Sequence, residues 1–459
     1  MVRFDLDDTI VAISTALGES GIGIVRMSGS NSVEVLRRLF TLAGRGVTGR
    51  LVPRRLTLGY ICDPHTNQRV DEVLVSFMPA PHTYTRQDVV EINCHGGIVA
   101  TQRVLELCLS EGARLARPGE FTFRAFINGR IDLAQAEAIL DIVRARTNAG
   151  LQVAVGQLAG RLSQQVQTAR RALLQAHAYL TACIDFPEDE IPPLDVVHVL
   201  EEARRLLDSL LQSADRGIIY RQGIRTAIVG RPNVGKSSLL NALLRMDRAI
   251  VTPIPGTTRD TVEETLNLQG IPLVLVDTAG LRSETSDPIE QLGIARSRAA
   301  IAQADLVILV LDGSQPLQPA DWELLELPAG KPTIVVINKS DLPAAFSTSD
   351  VTVSARRVSV SALTGDGLPE LEASLIDLIL GGEVRAAQDA LVSNPRHKAA
   401  IMQALRSVDE ARLALASDAP ADLICIDLAQ AIDYLGEITG ETASEELLDY
   451  IFSQFCIGK

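Results

Sequence analysis

The stretch that most constrains this chain lies near its middle. Arg225-Thr226-Ala227-Ile228-Val229 has strand character and runs directly into Gly230-Arg231-Pro232-Asn233-Val234-Gly235-Lys236-Ser237, and a helical pattern follows over 238–244. A GxxxxGKS loop between a buried strand and a helix lets backbone N–H groups close around phosphate oxygens at the helix N-terminus. In that setting Lys236 neutralises the β- and γ-phosphates and the Ser237 hydroxyl ligates magnesium.

Three further signals follow in order. Asp277-Thr278-Ala279-Gly280 ends an apolar strand at 272–276, where a carboxylate reaches magnesium and a glycine N–H senses the γ-phosphate. Asn338-Lys339-Ser340-Asp341 ends a second strand at 333–337. The Asp341 carboxylate can accept from guanine's ring N–H and exocyclic amine, a donor pair that adenine lacks. Ser361-Ala362-Leu363 closes another strand and supports the base loop. Any one of these could be a turn at a strand end. Four in register on one parallel sheet point to GTP rather than ATP.

Between the first two motifs, Gly256-Thr257-Thr258-Arg259-Asp260 has the position of a switch loop, with Thr258 as a second magnesium ligand. Nucleotide contacts are expected along this whole set, including Val234, Gly235 and Ser238 of the phosphate loop and Thr252 and Thr257 of the switch. Leu281 stands where Ras-like enzymes carry a water-orienting glutamine. Leucine cannot hydrogen-bond water, so hydrolysis needs another group. Glu290 is the first candidate, with Glu284 and Asp287 in the same segment.

The flanking sequence is of two kinds. Residues 1–125 alternate short strands (9–14, 21–27, 56–61, 70–77 and 89–93) with two helical patterns (32–42 and 99–112), and Asp63-Pro64-His65-Thr66-Asn67 reads as a hairpin tip. This predicts a compact α+β domain. Residues 126–219 turn helical, with Leu133, Ala136, Ile139, Leu140 and Val143 on an i, i+3, i+4 rhythm. The rhythm breaks over 185–193, which is rich in proline, and resumes over 397–455, within a segment 383–459. Two helical stretches around an α/β segment at 220–382 predict one helical domain interrupted by an insertion.

Bulk properties exclude several classes. A net charge of −14 has the wrong sign for gripping nucleic acid over the whole surface. No apolar run reaches the roughly 18 residues of a membrane span. Asp5, Asp7 and Asp8 precede any apolar run, unlike a signal peptide. The six cysteines (Cys62, Cys94, Cys108, Cys183, Cys425 and Cys456) show no CxxC or metal spacing. Scattered thiols suit a reducing compartment, so a cytoplasmic location is expected. All but Cys456 lie in or beside apolar runs and read as buried structural thiols.

With their flanks, these motifs closely resemble the MnmE (TrmE) family of tRNA-modification GTPases. The likeness extends through Ala116-Arg117-Pro118-Gly119-Glu120-Phe121, the run from Asn128 to Glu137, Ile184-Asp185-Phe186-Pro187 and the final Phe455-Cys456-Ile457-Gly458-Lys459. It implies a multidomain protein with an N-terminal α+β folate-binding domain, a split all-α helical domain and an inserted α/β Ras-like P-loop GTPase domain. It further implies a homodimer formed by the N-terminal domains and a flavoprotein partner, MnmG (GidA), in a heterotetramer or larger complex. The shared task is modification of carbon 5 of the wobble uridine of certain tRNAs, with the carbon drawn from 5-formyl- or methylene-tetrahydrofolate.

Family folate contacts carry over to Arg26, Glu91 and Arg130, with Lys459 nearby; Arg130 stands where the family usually has lysine. A bound potassium ion replaces an arginine finger in the family. Its ligands carry over to Asn233 and to a loop including Thr252, Ile254 and Thr257. Cys456, within the terminal motif, is expected to have a chemical role.

Blander readings stand beside these. Alone, Arg26 and Arg130 would be surface arginines, Glu91 a solvent-facing strand residue and Cys456 a packed thiol, and His95 in Cys94-His95-Gly96-Gly97 reads as a turn histidine rather than a catalytic acid or base. A rival class is a ribosome-assembly GTPase, which needs a basic RNA-binding module. The downstream segment instead carries Glu410, Asp418, Asp422, Glu437, Glu441, Glu445 and Glu446. A GTP-gated scaffold without chemistry is the third reading.

Overall fold

The computed structural model describes residues 7–43, 51–246, 264–276, 290–328, 330–381 and 391–459, apart from the side chains of 246 and 290–295. The chain divides into two compact units, Met1–Leu140 with Ile432–Lys459, and Asp141–Ala431.

The first unit is built on a seven-stranded sheet of β1 (Ile10–Ile13), β2 (Ser20–Ser28), β3 (Phe40–Leu42), β4 (Thr57–Cys62), β5 (Arg69–Met78), β6 (Val89–Gly96) and β7 (Arg114–Leu115), in the order β3-β4-β5-β6-β2-β1-β7. Only the β1–β7 pair is parallel. Alternation sorts the two faces: Val73 and Val75 are buried, while Leu74 between them is 41% exposed. The buried face packs α1 (Ser32–Leu39) through Val35, Leu36 and Leu39, and α2 (Ile98–Ser110) through Val104, Leu107 and Cys108. The 63–67 hairpin tip forms as expected, with the Asp63 carboxylate accepting from the His65 N–H and the Asp63 carbonyl from the Asn67 N–H.

Two local expectations need correction. The helix predicted over 32–42 stops at Leu39; Phe40 is extended, and Phe40–Leu42 pairs with β4. The bulky and β-branched Phe40-Thr41 suits an edge strand better than a third helical turn. The strand predicted over 89–93 continues to Gly96, so His95 lies in a strand and not in a turn.

A second core in this unit joins α3 (Glu120–Ile127), residues 133–140 of α4 (Leu133–Arg144) and α14 (Glu445–Ser453). Phe123, Phe452 and Phe455 meet there, Phe123 edge-on to Phe452 at 5.1 Å between centroids.

The second unit contains the long helices α5 (Asn148–Leu158), α6 (Arg161–Asp185), α7 (Val196–Gln222) and α12 (Pro395–Ala416), and residues 421–431 of α13 (Ala421–Thr439). The proline-rich break falls between α6 and α7, as read. Ion pairs Arg204–Asp409 and Lys398–Asp215 set α7 and α12 antiparallel.

Its six-stranded sheet comprises β8 (Ile224–Val229), β9 (Thr265–Leu268), β10 (Ile271–Leu275), β11 (Leu306–Asp312), β12 (Thr333–Asn338) and β13 (Arg356–Ser359), ordered β13-β12-β11-β8-β10-β9 and parallel except for β9. Every residue of β11 is buried, as expected for a parallel strand covered on both faces. One face packs α8 (Lys236–Met246) and α11 (Leu368–Leu380); the other packs α9 (Glu290–Gln303) and α10 (Pro319–Glu326). No described helix is long and apolar enough to cross a membrane.

All six cysteines are free thiols. Cys94 and Cys108 are buried, and burial pushes both up to about 12. Cys62, Cys183 and Cys425 are half-buried and Cys456 is exposed, so the expectation of buried thiols is met in only two of the five. Cys62 is the last residue of β4, while Cys183 and Cys425 lie within α6 and α13, where an apolar neighbourhood in sequence does not guarantee a covered side chain.

Candidate functional site

The phosphate loop joins the end of β8 to the start of α8. Asn233 adopts a left-handed backbone, φ 63°, which asparagine tolerates better than most residues. Gly235 follows with φ 94°, and a Cβ there would lie 2.2 Å from Asn338 Nδ2. Only glycine fits. Asn338 in turn is buried and bridges two other loops: its Nδ2 donates to the Val234 carbonyl at 2.9 Å, and its Oδ1 accepts from the Ala362 N–H at 3.0 Å. Three of the sequence motifs therefore meet on one side-chain amide.

The base loop is held in the same way. Ser361 is fully buried; its Oγ donates to Asp341 Oδ1 at 2.6 Å and accepts from the Thr364 N–H at 3.1 Å. That bond orients a carboxylate which is itself exposed to solvent. Lys339 has φ 67° and places its Nζ 2.7 Å from Asp312 Oδ2. Lys236 Nζ donates to the Arg231 carbonyl at 2.7 Å, and the Arg231 guanidinium pairs with buried Asp321 at 2.7 Å. No motif in the sequence had singled out Asp312 or Asp321.

Ser237 and Ser238 follow Lys236 in the first turn of α8. Thr252, Ile254, Thr257, Thr258, Asp277, Thr278, Ala279 and Gly280 lie outside the described residues, as do Leu281, Glu284 and Asp287. Glu290 is the first residue of α9; its side chain is likewise not described.

A separate polar cluster occupies the first unit. Arg26 on β2 and Glu91 on β6 are register partners, 65 residues apart in sequence. Arg26 Nε and Nη2 both reach Glu91 Oε1 at 2.8 Å. Arg26 Nη1 donates to the Gly458 carbonyl at 3.4 Å, which also accepts from Ser14 Oγ at 3.2 Å. This bond brings the C-terminal residues to the sheet. A Cβ at Gly458 would lie 2.4 Å from the Ile13 carbonyl, so glycine permits the approach. Burial, joined by the Arg26 charge, holds the Lys459 amine below its ordinary value.

Arg130 lies over the Tyr84 ring at 4.6 Å. Tyr84 packs in a cluster with Phe121, whose ring lies 5.9 Å from the Arg26 guanidinium. Arg26, Glu91 and Lys459 are thus brought together, and Arg130 connects to them through two aromatic rings. The Cys456 thiol is exposed, while its carbonyl accepts from the Gly119 N–H at 3.4 Å. His95 pairs with Asp71, Nδ1 to Oδ1 at 2.6 Å, which raises the imidazole above its usual range.

The run 116–121 has a different use. Glu120 and Arg124 have fully buried side chains, and Glu120 accepts from Arg114 at 2.6 Å and from Arg124 at 3.1 Å. Asp8 completes the network by pairing with both arginines. Burial raises the Asp8 carboxyl, but the Arg114 and Arg124 bonds and charges together outweigh it and leave the group lowered. This cluster is structural: it fastens the N-terminal strand to α3.

A phosphate loop and two base loops on one parallel sheet define the class of protein. It is a P-loop GTPase, an enzyme hydrolysing GTP, joined to an α+β domain and a helical domain. A family model described as "MnmE helical domain" matches residues 133–456, and one described as "GTP-binding protein TrmE N-terminus" matches 9–130. A tRNA modification GTPase MnmE of Chloroflexus aurantiacus is 51% identical over 459 residues, covering 99% of this chain and 100% of that relative. One of Alkaliphilus metalliredigens is 47% identical over 460 residues, at 99% and 100% coverage. The G domain of the T. maritima FeoB iron transporter is a weaker likeness, 24% identical, with a TM-score of 0.25, covering 34% of this chain and 98% of that one. The family assignment does not rest on it. The chain belongs to the MnmE (TrmE) family of tRNA modification GTPases.

Proposed function

We propose that this protein is a potassium-stimulated GTPase that works with a flavoprotein of the MnmG (GidA) type on carbon 5 of the tRNA wobble uridine, position 34. In this reading the added carbon comes from 5-formyl- or methylene-tetrahydrofolate. One observation carries it: a chain with guanine-reading loops also holds Arg26, Glu91 and the C-terminal Gly458-Lys459 in a single cluster. Residues 1–125 would form the folate-binding and dimerising domain, 126–219 with 383–459 the helical domain, and 220–382 the GTPase domain. The dimer would act in the cytoplasm.

The donor chemistry fits each proposed ligand. Both contacts from Arg26 to Glu91 fall on Oε1, and the carboxylate's other oxygen is of the type that accepts adjacent N–H groups of a pterin ring. Arg130 and Lys459 would meet the folate's carboxylates. Asn233 is exposed on the phosphate loop and offers a neutral amide oxygen, a ligand suited to a large monovalent cation. With Thr252, Ile254 and Thr257 it would hold potassium; Ser237 and Thr258 would hold magnesium. Those ions supply positive charge where the transferring phosphoryl group becomes more negative.

The chain's own residues do the rest. Lys236 neutralises phosphate oxygens beside the P-loop N–H groups. Asp341, held by Ser361, accepts from guanine. Glu290 orients the attacking water in place of the glutamine that Leu281 replaces. Cys456 stands exposed shortly before Gly458, whose carbonyl Arg26 contacts, and would take part in the transfer chemistry.

Reconstitution tests the reading. Purified protein, an MnmG-type flavoprotein, undermodified tRNA, GTP, potassium and 5-formyl-tetrahydrofolate should yield a C5-modified wobble uridine by mass spectrometry. Replacing potassium with sodium at equal ionic strength should lower GTP turnover steeply, toward the roughly 10³–10⁵-fold that a supplied arginine finger is worth (about 4–7 kcal/mol). An unmodified uridine with every component present and GTP being hydrolysed would overturn the reading.

A further inference from the structure

Asp312 lies outside every nucleotide-binding motif, yet it is placed to control one. It ends β11 and is the register partner of Asn338, the first residue of the base motif on β12. The carboxylate is buried, 5% exposed. One oxygen, Oδ1, accepts from the Ser314 N–H at 3.0 Å and the Ser314 Oγ at 2.6 Å; the other, Oδ2, accepts from Lys339 Nζ at 2.7 Å. The backbone between is stitched to the same loop: the Gly313 N–H donates to the Asn338 carbonyl at 2.8 Å, and the Ala345 N–H to the Gly313 carbonyl at 2.9 Å. A Cβ at Gly313 would come within 3.0 Å of the Asn338 carbonyl oxygen and of Ile337 Cγ2.

Lys339 needs such support. Its left-handed backbone, φ 67°, is disfavoured for lysine and persists only where the surroundings over-determine it. Burial raises the Asp312 carboxyl, but the bonds from Lys339 and Ser314 outweigh it and hold the group lowered, so it is an anion at neutral pH. A buried anion saturated by a backbone N–H, a hydroxyl and an ammonium fixes the long lysine side chain in one direction. Without it, the lysine stem would sample many rotamers and the base loop would lose its fixed floor.

We propose that Asp312, braced by Gly313 and Ser314, is a positioning residue for the guanine site: it orients Lys339 and thereby sets the affinity for the base end of the nucleotide. The effect belongs to the base, so it should fall equally on GDP and GTP. The proposal rests on the reading that the 338–341 loop receives guanine.

A double-mutant cycle tests it in the full-length protein, with the fluorescent probes mant-GDP and mant-GTP. Asp312→Asn keeps the shape but removes the charge that holds the ammonium. It should raise Kd for both probes by about tenfold or more, the scale of a lost hydrogen bond to a charged group, mostly through faster dissociation. In a Lys339→Met background the same change should have no further effect. Should Asp312→Asn not fold, Ser314→Ala weakens the same carboxylate and should also reduce affinity only when Lys339 is present. An effect below twofold, or equal losses in both backgrounds, overturns the proposal. A merely structural role predicts equal losses. Failure of the wild type to bind either probe would instead overturn the guanine-site reading itself.

Discussion

Two polar clusters in this protein are assembled by opposite means. In the GTPase sheet, the site residues lie in short sequence motifs at strand ends that meet one another: Gly235 close against Asn338, Asn338 bonded to Val234 and Ala362, and Ser361 to Asp341. In the N-terminal sheet, Arg26 and Glu91 meet only because two antiparallel strands align, and Gly458 arrives from the far end of the chain. The first kind of site leaves a spacing in the sequence because its loops need particular backbone conformations. The second leaves none, because sheet register imposes no residue type.

The same contrast exists inside the N-terminal unit, between a pair open to solvent and a network shut away from it. Arg26 and Glu91 keep about a quarter of their side-chain surface exposed, whereas Glu120 and Arg124 keep none. The largest expected effect separates them. Arg124→Met should cost about 1.5–3 kcal/mol of stability, because the fully buried Glu120 loses one of its two guanidinium partners and keeps only Arg114. Thermal unfolding of the N-terminal unit should show this as a clear drop in Tm. Arg26→Ala, breaking a part-exposed pair, should cost about 1 kcal/mol or less yet abolish calorimetric binding of 5-formyl-tetrahydrofolate. Equal destabilisation by the two would erase the distinction.

Next in size is hydrolysis itself. Glu290→Ala should leave GTP affinity nearly intact and slow single-turnover hydrolysis by about 10²-fold or more, as for a lost acid–base or orienting group. If Glu284→Ala or Asp287→Ala does so instead, the water-orienting role moves to that residue.

Asp341→Asn should weaken GTP by about tenfold or more and let xanthosine triphosphate compete, read by competition binding. The carboxylate is held by Ser361, so an unchanged GTP affinity would remove Asp341 from the base site.

The smallest effect concerns His95. Asp71 raises its pKa, so the pair's contribution is full below the unfolded value of about 6.5 and is lost as pH rises through the higher folded value. An NMR titration should find the imidazole above 6.5 in the wild type and nearer it in Asp71→Asn.

Much of this was legible in advance. The phosphate and base loops follow from glycine and asparagine at fixed offsets, and the helical flanks from their apolar rhythm. The N-terminal strands show as alternation, although Phe40–Leu42 was hidden behind a helical pattern and the two-residue β7 is too short for any period to register. Asp312 reads in sequence as the polar end of an apolar strand; only its register beside Asn338 reveals its use. Arg114, Glu120 and Arg124 carry the chemistry of a functional site and prove to be fastenings, because burial cannot be read from charge.

The central claim is that the GTPase sheet and the Arg26–Glu91 cluster serve one tRNA-modifying reaction. Mass spectrometry of wobble nucleosides from a deletion strain tests it most directly. Uridines lacking their C5 substituent should accumulate, and the wild-type gene should restore the modification while Asp341→Asn and Arg26→Ala each fail to do so. Wobble nucleosides unchanged by the deletion would contradict it.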